Sequence, residues 1–300
     1  MKRFLHFVTI GCSIFLLLCV FIEFYQPKVL NRYSYKYNYM ESQKERIKIM
    51  ILGNSYMENA FNPKMLGEGT FELAMSGRWI YYDFKLLEKY ISGMDHLQVV
   101  LFGMGYSHPF SQSYNLSNDK SPANYDIHEA YMYDKFMNIK FDSNPFHWLG
   151  LYQGYINPGT LCDYCSCDSL GYEMVEGQSK NWTSEHNVSP DVIEGPLAMA
   201  IIHEYTEYLK DMAQLCQTHH VRFIVVTPPC HDSFNVNVRQ EGLDILHGII
   251  ENVRAEYPIE YIDYLQDEQF RSDSIYYNCS HLNSIGADMF ALRVKEDFGL

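Results

Sequence analysis

Three short apolar runs, each halted by glycine or proline, do most to limit how this chain can fold. "IKIMILG" (47–53) and "LQVVLFG" (97–103) end in Gly, and "VRFIVVTPP" (221–229) ends in two prolines. Apolar throughout rather than alternating, they read as strands buried on both faces. "FELAMSG" (71–77) and "IEYIDY" (259–264) are two further strand candidates, and helical stretches fall at 81–94, 196–220, 242–257 and 286–298. In 242–257, Leu246, Ile249, Ile250 and Val253 share one helical face, as do Ala287, Phe290, Ala291 and Val294 in 286–298. Strands that alternate with helices predict a parallel sheet covered on both sides, an α/β fold. Residues 104–195 interrupt the pattern with a stretch rich in Asn, Asp, Ser, Tyr, Gly and Pro. That is too long for an ordinary loop, so it is expected to hold structure of its own or to cover a site.

The N-terminus is nearly all apolar from Phe4 to Tyr25, with Glu23 its one formal charge. About twenty apolar residues match a bilayer-spanning helix. A cleaved signal has a shorter apolar core and a small-residue exit, which this segment lacks. A lipid-modified cysteine is disfavoured as well, since Leu18 is bulky before Cys19 and Cys12 comes too early. Lys2 and Arg3 are balanced by Lys28 and Arg32, so charge does not orient the span. A stub this short stays inside most simply, and the rest is then exported. The expected organisation is a signal anchor over 1–25, a polar, Tyr-rich stalk over 26–46, and an α/β domain over 47–300 with its insertion at about 104–195. The net charge of −14, without runs of like charge, argues against nucleic acid as a partner. The 25 Tyr and 18 Phe allow either sugar stacking or ordinary core packing.

Six cysteines lie beyond the anchor. Cys162, Cys165 and Cys167 form a C-x2-C-x-C cluster. In an oxidising compartment disulfides are the favoured use, ahead of free thiols; zinc would need a fourth ligand, for which Asp163 and Asp168 are poor substitutes. Cys230 and Cys279 flank two strand-end loops and are candidates for a bracing disulfide. No metal site and no cofactor is expected. The sequons at Asn115, Asn181, Asn187 and Asn278 would matter only in a eukaryotic secretory route, for which the chain offers no support.

Ligand sites in open α/β sheets gather at the carboxyl ends of the strands. The runs end in "GNSY" (53–56), "GMGYSH" (103–108) and "TPPCH" (227–231). Ser55, two residues past a strand-ending Gly, stands where a tight turn enters a helix. There it serves either as a helix cap or as a nucleophile beside backbone N–H groups. His281 in "NCSHLNSIGADMF" (278–290) directly precedes the last helix, and it is either a helix-start residue or the base for Ser55.

"ILGNSYMENAFNP" together with "SHLNSIGADMF" resembles the SGNH (GDSL-like) hydrolase superfamily, in particular its membrane-anchored branch tied to acylation and deacylation of bacterial surface polymers. The resemblance implies a flavodoxin-like three-layer α/β/α domain with Ser55 as nucleophile and His281 as base. The Ser55 N–H would be one oxyanion donor and Gly77 a second. The family's third donor, an Asn in Gly-x-Asn-Asp, falls where this chain reads Gly103-Met104-Gly105-Tyr106, leaving Gly105 at that edge. The family's Asp, three residues before the His, is Asn278 here. In a well-studied serine protease such an Asp→Asn change costs about 10⁴ in turnover through the wrong imidazole tautomer. Asp273 and Asp263 are further acids that could approach His281. Asn54, Arg78, Trp79, Tyr106 and His231 are the candidate substrate-binding residues, with packing the other reading of Trp79 and a surface loop that of His231.

Two functions follow. One is an extracytoplasmic, serine-dependent O-acyl esterase or O-acyltransferase acting on an acylated cell-surface glycan or other small ester, working with a membrane acyl-transfer partner. The other is a catalytically impaired binding or scaffold protein of a polysaccharide modification or export complex.

Overall fold

The structure, a computed structural model, describes residues 1–25, 32–110, 167–180 and 196–300. Most of the 104–195 insertion, Cys162, Cys165 and the sequons at Asn115, Asn181 and Asn187 lie outside the described residues.

Five parallel strands form the centre: β1 (Ile49–Leu52), β2 (Thr70–Glu72), β3 (Val99–Gly103), β4 (Arg222–Thr227) and β5 (Glu260–Asp263). They stand in the order β2-β1-β3-β4-β5, the order of flavodoxin-like doubly wound sheets. Ile49 pairs with Val99 and Val99 with Arg222, so the three central strands start level. The apolar runs behave as their composition requires. Met50, Leu52, Val100, Phe102, Phe223 and Val225 enter one core, while Ile49, Ile51, Val99, Leu101, Ile224 and Val226 enter another. A strand's side chains alternate faces, so a run apolar at every position must be covered twice.

The helices are α1 (Lys2–Tyr25), α2 (Arg32–Gln43), the one-turn α3 (Ser55–Glu58) and α4 (Pro63–Leu66), α5 (Ile80–Tyr90), α6 (Pro196–Thr218), α7 (Asp232–Asn235), α8 (Gln240–Arg254) and α9 (Ser284–Phe298). The first core takes side chains from α5, α6 and α8, and the second takes them from α3, α4 and α9. In α9, Ala287, Phe290, Ala291, Val294 and Phe298 are buried, Asn283 caps the start by accepting from the N–H groups of Ile285 and Gly286, and Gly299 ends it with φ 63°. A two-stranded hairpin, β6 (Tyr276–Asn278) and β7 (His281–Leu282), stands just before α9. Nothing in the local apolar pattern signals strands this short.

The stretch 26–46, expected as a stalk, is in part a helix docked on the domain. Residues 32–43 form α2, with Lys36 and Met40 fully buried and the Tyr39 ring stacked on Phe71, centroids 3.9 Å apart. Its polar residues lack a long apolar run, but Tyr and Lys carry apolar bodies that pack. The expected spanning segment forms the continuous helix α1, with Phe4, Phe7, Phe15, Leu16 and Leu17 exposed. Among the described residues no helix is long and apolar enough to cross a membrane, so the span gains no support from the structure.

Candidate active site

β1 ends at Gly53, whose φ of 130° and close neighbours leave no room for a side chain: a Cβ there would stand 2.8 Å from Met57 Cγ and 3.2 Å from Gly103 O. Gly103 is under the same pressure, because a Cβ would meet Met57 Cγ at 1.8 Å. These two glycines let the β1 and β3 ends close over Met57, and the chain turns at once into α3. Asn54 caps that helix by accepting from Tyr56 N–H at 3.1 Å. Ser55 is the first helical residue, so its N–H has no acceptor inside the helix and lies at the positive end of its peptide dipoles.

His281 arrives from β7. Its Nε2 stands 2.9 Å from Ser55 Oγ and its Nδ1 stands 2.9 Å from Asn278 Oδ1. The two residues come from opposite ends of the sequence, and β6 and β7 bring Asn278 directly opposite His281. The hairpin is held from below by Tyr276, whose hydroxyl donates to Phe270 O at 2.7 Å, and by the Asn283 amide, which donates to Ser274 O at 2.8 Å. Tyr56 stacks on the His281 ring with centroids 5.2 Å apart. Burial pushes His281 down to about 4, with the Glu58 charge pulling the other way, so the ring is neutral at pH 7. Neither further acid reaches it: Asp273 pairs with His231 Nε2 at 2.9 Å, and Asp263 with His247 Nε2 at 2.8 Å.

The turn that carries Gly77 is tied to the same edge. Met75 N–H donates to Gly53 O at 3.0 Å, Ser76 N–H donates to Glu58 Oε2 at 2.7 Å, and Gly77 itself has φ 72°. Gly105 sits where a Cβ would press on Tyr56 Cδ2 at 3.0 Å and His108 Cε1 at 3.1 Å, so close ring packing already explains a glycine there.

The five candidate substrate-binding residues are all turned inward. Arg78 is 1% exposed, donates to Leu73 O at 2.6 Å and pairs with Asp83 at 3.1 Å. Trp79 is buried edge-on to Tyr208. Asn54, Arg78 and Trp79 line a cavity of about 10 Å³, the space of one water and far too small for a sugar. Tyr106 is fully buried; its hydroxyl donates to Arg239 O at 3.1 Å and accepts from Arg239 N–H at 3.0 Å, pinning the loop after β3 to the start of α8. His231 caps α7 and donates its backbone N–H to Cys279 O at 2.9 Å. Arg78, Trp79 and Tyr106 turn their side chains into the core, whereas the His231 ring is held by Ser233 and Asp273. Neighbours distant in sequence decide that direction.

His108 is the residue that sequence reasoning passed over. It is buried with its ring against the Asn54 amide, 2.7 Å from Nδ1, and edge-on to Tyr56. Burial, and then the neighbouring His281, push it down to about 3. Its signal was present in "GMGYSH" at the end of β3, without a motif to mark it.

Cys230 is a free thiol, so the candidate Cys230–Cys279 disulfide is not formed, although both residues lie in one apolar cluster with Tyr106 and Phe234. Cys167 is also free, which removes it from any disulfide within its cluster.

No described protein family and no curated protein matches the sequence. Solved structures that resemble the fold at low similarity include two bacterial proteins. One is a Streptococcus pneumonia protein described as a platelet activating factor, at 10% identity, TM-score 0.46, and coverage of 96% of this chain and 98% of that one. The other is a Bacteroides fragilis NCTC 9343 protein described as an acylhydrolase, at 10% identity, TM-score 0.44, and coverage of 87% of this chain and 94% of that one.

Proposed function

We propose that this chain is a membrane-anchored, extracytoplasmic serine esterase or acyltransferase that works on O-acyl groups of a cell-surface glycan. One observation carries the chemistry: Ser55 Oγ, His281 Nε2, His281 Nδ1 and Asn278 Oδ1 form a continuous hydrogen-bonded chain at 2.9 Å per link. In this reading His281 takes the Ser55 proton as Oγ attacks the ester carbonyl. The Ser55 N–H and Gly77 N–H steady the oxyanion, and a donor of that kind is worth about 10²–10³ in turnover. Protonated His281 then gives its proton to the leaving sugar oxygen, leaving an acyl-serine. Water or another sugar hydroxyl, activated by the same imidazole, releases the acyl group.

The alternative is a binding or scaffold module that keeps the fold without the chemistry. It would draw support from a His281 lacking an acceptor at Nδ1, where Asn278 Oδ1 and Ser280 Oγ stand instead. The membrane element of the proposal is supported by the amino-acid sequence alone, nearly all apolar from Phe4 to Tyr25 with Glu23 its one formal charge. The glycan element rests on the sequence resemblance and the anchor. Tyr82, Tyr106, Tyr205, Tyr264 and Tyr276 do not add to it, because they are spent in the core. A membrane acyl-transfer partner would supply the acyl group when the reaction runs as a transfer.

The test treats detergent-solubilised full-length protein with a fluorophosphonate probe and with p-nitrophenyl acetate, beside Ser55→Ala. Labelling and turnover that both vanish in Ser55→Ala support the reading. Labelling or turnover that persists unchanged sinks it.

A further inference from the structure

β2 is the edge strand of the sheet, and the chain that continues from it to Gly77 has its inner side satisfied by β1: Leu73 N–H donates to Ile51 O at 2.9 Å and Met75 N–H to Gly53 O at 3.0 Å. Among the described residues its outer side faces no strand, and buried edge groups must find partners elsewhere. Glu72 N–H donates to Leu170 O at 2.9 Å, and two side chains supply further partners. Lys36 of α2 donates its Nζ to Ala74 O at 2.5 Å, and Glu58 of α3 accepts the Ser76 N–H at 2.7 Å and also the Ser76 hydroxyl. Both side chains are 0% exposed. Lys36 Nζ lies 3.7 Å from Glu58 Oε1, and Arg32 Nη1 lies 3.4 Å from the same oxygen. Arg32 also pairs with Glu173. Burial pushes the Glu58 carboxyl up, but Lys36, Arg32 and the two Ser76 hydrogen bonds outweigh it, so Glu58 is ionised.

The position of Glu58 gives this network a purpose. Three residues after Ser55 on α3, it lies on the same side of the helix as the nucleophile. One carboxylate thereby joins the turn that carries Ser55 to the Met75–Ser76 peptide and the Ser76 hydroxyl, one residue before Gly77. Were the Ser76 N–H and hydroxyl left to water, the Met75–Ser76 peptide could rotate, Ser76 would shift, and the N–H of the left-handed Gly77 that follows would lose its aim.

We propose that Glu58 is a positioning residue for the ester reaction: anchored by Lys36 and Arg32 of α2, it fixes Ser76 by its N–H and hydroxyl so that the Gly77 N–H that follows faces the oxyanion. This rests on the serine-esterase reading above. It makes α2, the first helix after α1, part of the machinery that shapes the oxyanion hole.

The experiment measures steady-state hydrolysis of p-nitrophenyl acetate by full-length protein carrying Glu58→Gln, and by the charge-balanced pair Lys36→Met with Glu58→Gln. Thermal melting is followed in parallel and Ser55→Ala serves as control. Burying Lys36 and Arg32 without Glu58 is costly, and the balanced pair keeps the test open if Glu58→Gln does not fold. The expected result is a fall of about 10-fold or more in kcat with KM within about two-fold, in a variant that still melts cooperatively, since an interaction used in the transition state alone moves kcat and spares KM. A folded balanced pair with unchanged kcat overturns the positioning role. Turnover that survives Ser55→Ala instead overturns the esterase reading, and the two failures are told apart by that control.

Discussion

Asn278 Oδ1 lies 2.9 Å from His281 Nδ1, and the same oxygen accepts the backbone N–H groups of Ser280 at 3.1 Å and His281 at 2.9 Å. Those two backbone donors decide which way the carboxamide points. With the amide reversed, its NH2 would face two N–H groups, so the oxygen must stand there. His281 therefore carries its proton on Nδ1 and turns the Nε2 lone pair to Ser55. The wrong-tautomer problem of an Asp→Asn replacement is avoided by the turn itself. What Asn278 cannot supply is negative charge for the imidazolium.

Replacing Asn278 separates those two contributions. Asn278→Ala should lower kcat about 10–100-fold, because both tautomer and ring orientation are released. Asn278→Asp should raise kcat above that of the unmodified chain and move the acidic limb of the rate profile upward, since a carboxylate at Nδ1 favours the charged ring. An Asp variant with the same limb and the same kcat would argue that Asn278 does not tune His281.

The pH response should be displaced to acid. With His281 at about 4, kcat/KM is expected to be flat from about pH 5 to 8 and to fall below about 4.5. A limb near the ordinary imidazole value of about 6.5 would contradict the buried neutral ring. Stability follows the same sign. Between about pH 6.5 and 4 the unfolded chain binds protons that native His281 and His108 refuse, so stability is complete above that window and declines as pH falls through it. Melting temperatures recorded from pH 8 to 4 check this.

Tyr106→Phe tests the inward assignment of that residue. Losing the donor to Arg239 O and the acceptor for Arg239 N–H should cost about 1–3 kcal/mol in stability and leave KM unchanged. A raised KM without a lower Tm would return Tyr106 to the substrate.

Gly53→Ala should destabilise the protein by about 1–3 kcal/mol and depress kcat, because φ 130° is strained for alanine and its methyl would press on Met57. Chemical denaturation and esterase assays measure both effects.

The anchor can be checked by fractionation. Full-length protein should stay with membranes through an alkaline carbonate wash, and Leu16→Arg with Leu17→Arg should release it, since two charges mid-span are costly. Recovery of the unmodified chain in the soluble fraction would remove the anchor from the reading.

Much of the architecture was legible in the linear order of residues. The five strands and the four longer domain helices follow from apolar runs and helical periodicity, while the pairing of Ser55 with His281 follows from the resemblance carried by the motifs at the two ends of the domain. Docking of α2 was not legible, since Lys36 and Tyr39 carry no local mark of burial. Nor was the hairpin of β6 and β7, whose few residues leave no periodicity to read. The side-chain directions of Arg78, Trp79 and Tyr106 were hidden for the same reason. Their neighbours Asp83, Tyr208 and Arg239 come from other elements.

The proposed nucleophile and base thus divide between the two levels. The sequence by itself determined that Ser55 follows a glycine-ended strand and that His281 precedes the last helix, because these are properties of residue identity and local turn chemistry; that Asn278 holds the place of an acid is what the family resemblance implies. Only the tertiary structure decided that Asn278 turns its oxygen to His281 and that Glu58 clamps the turn bearing Gly77. Both depend on buried polar groups, which must find partners across the fold wherever packing shuts out water.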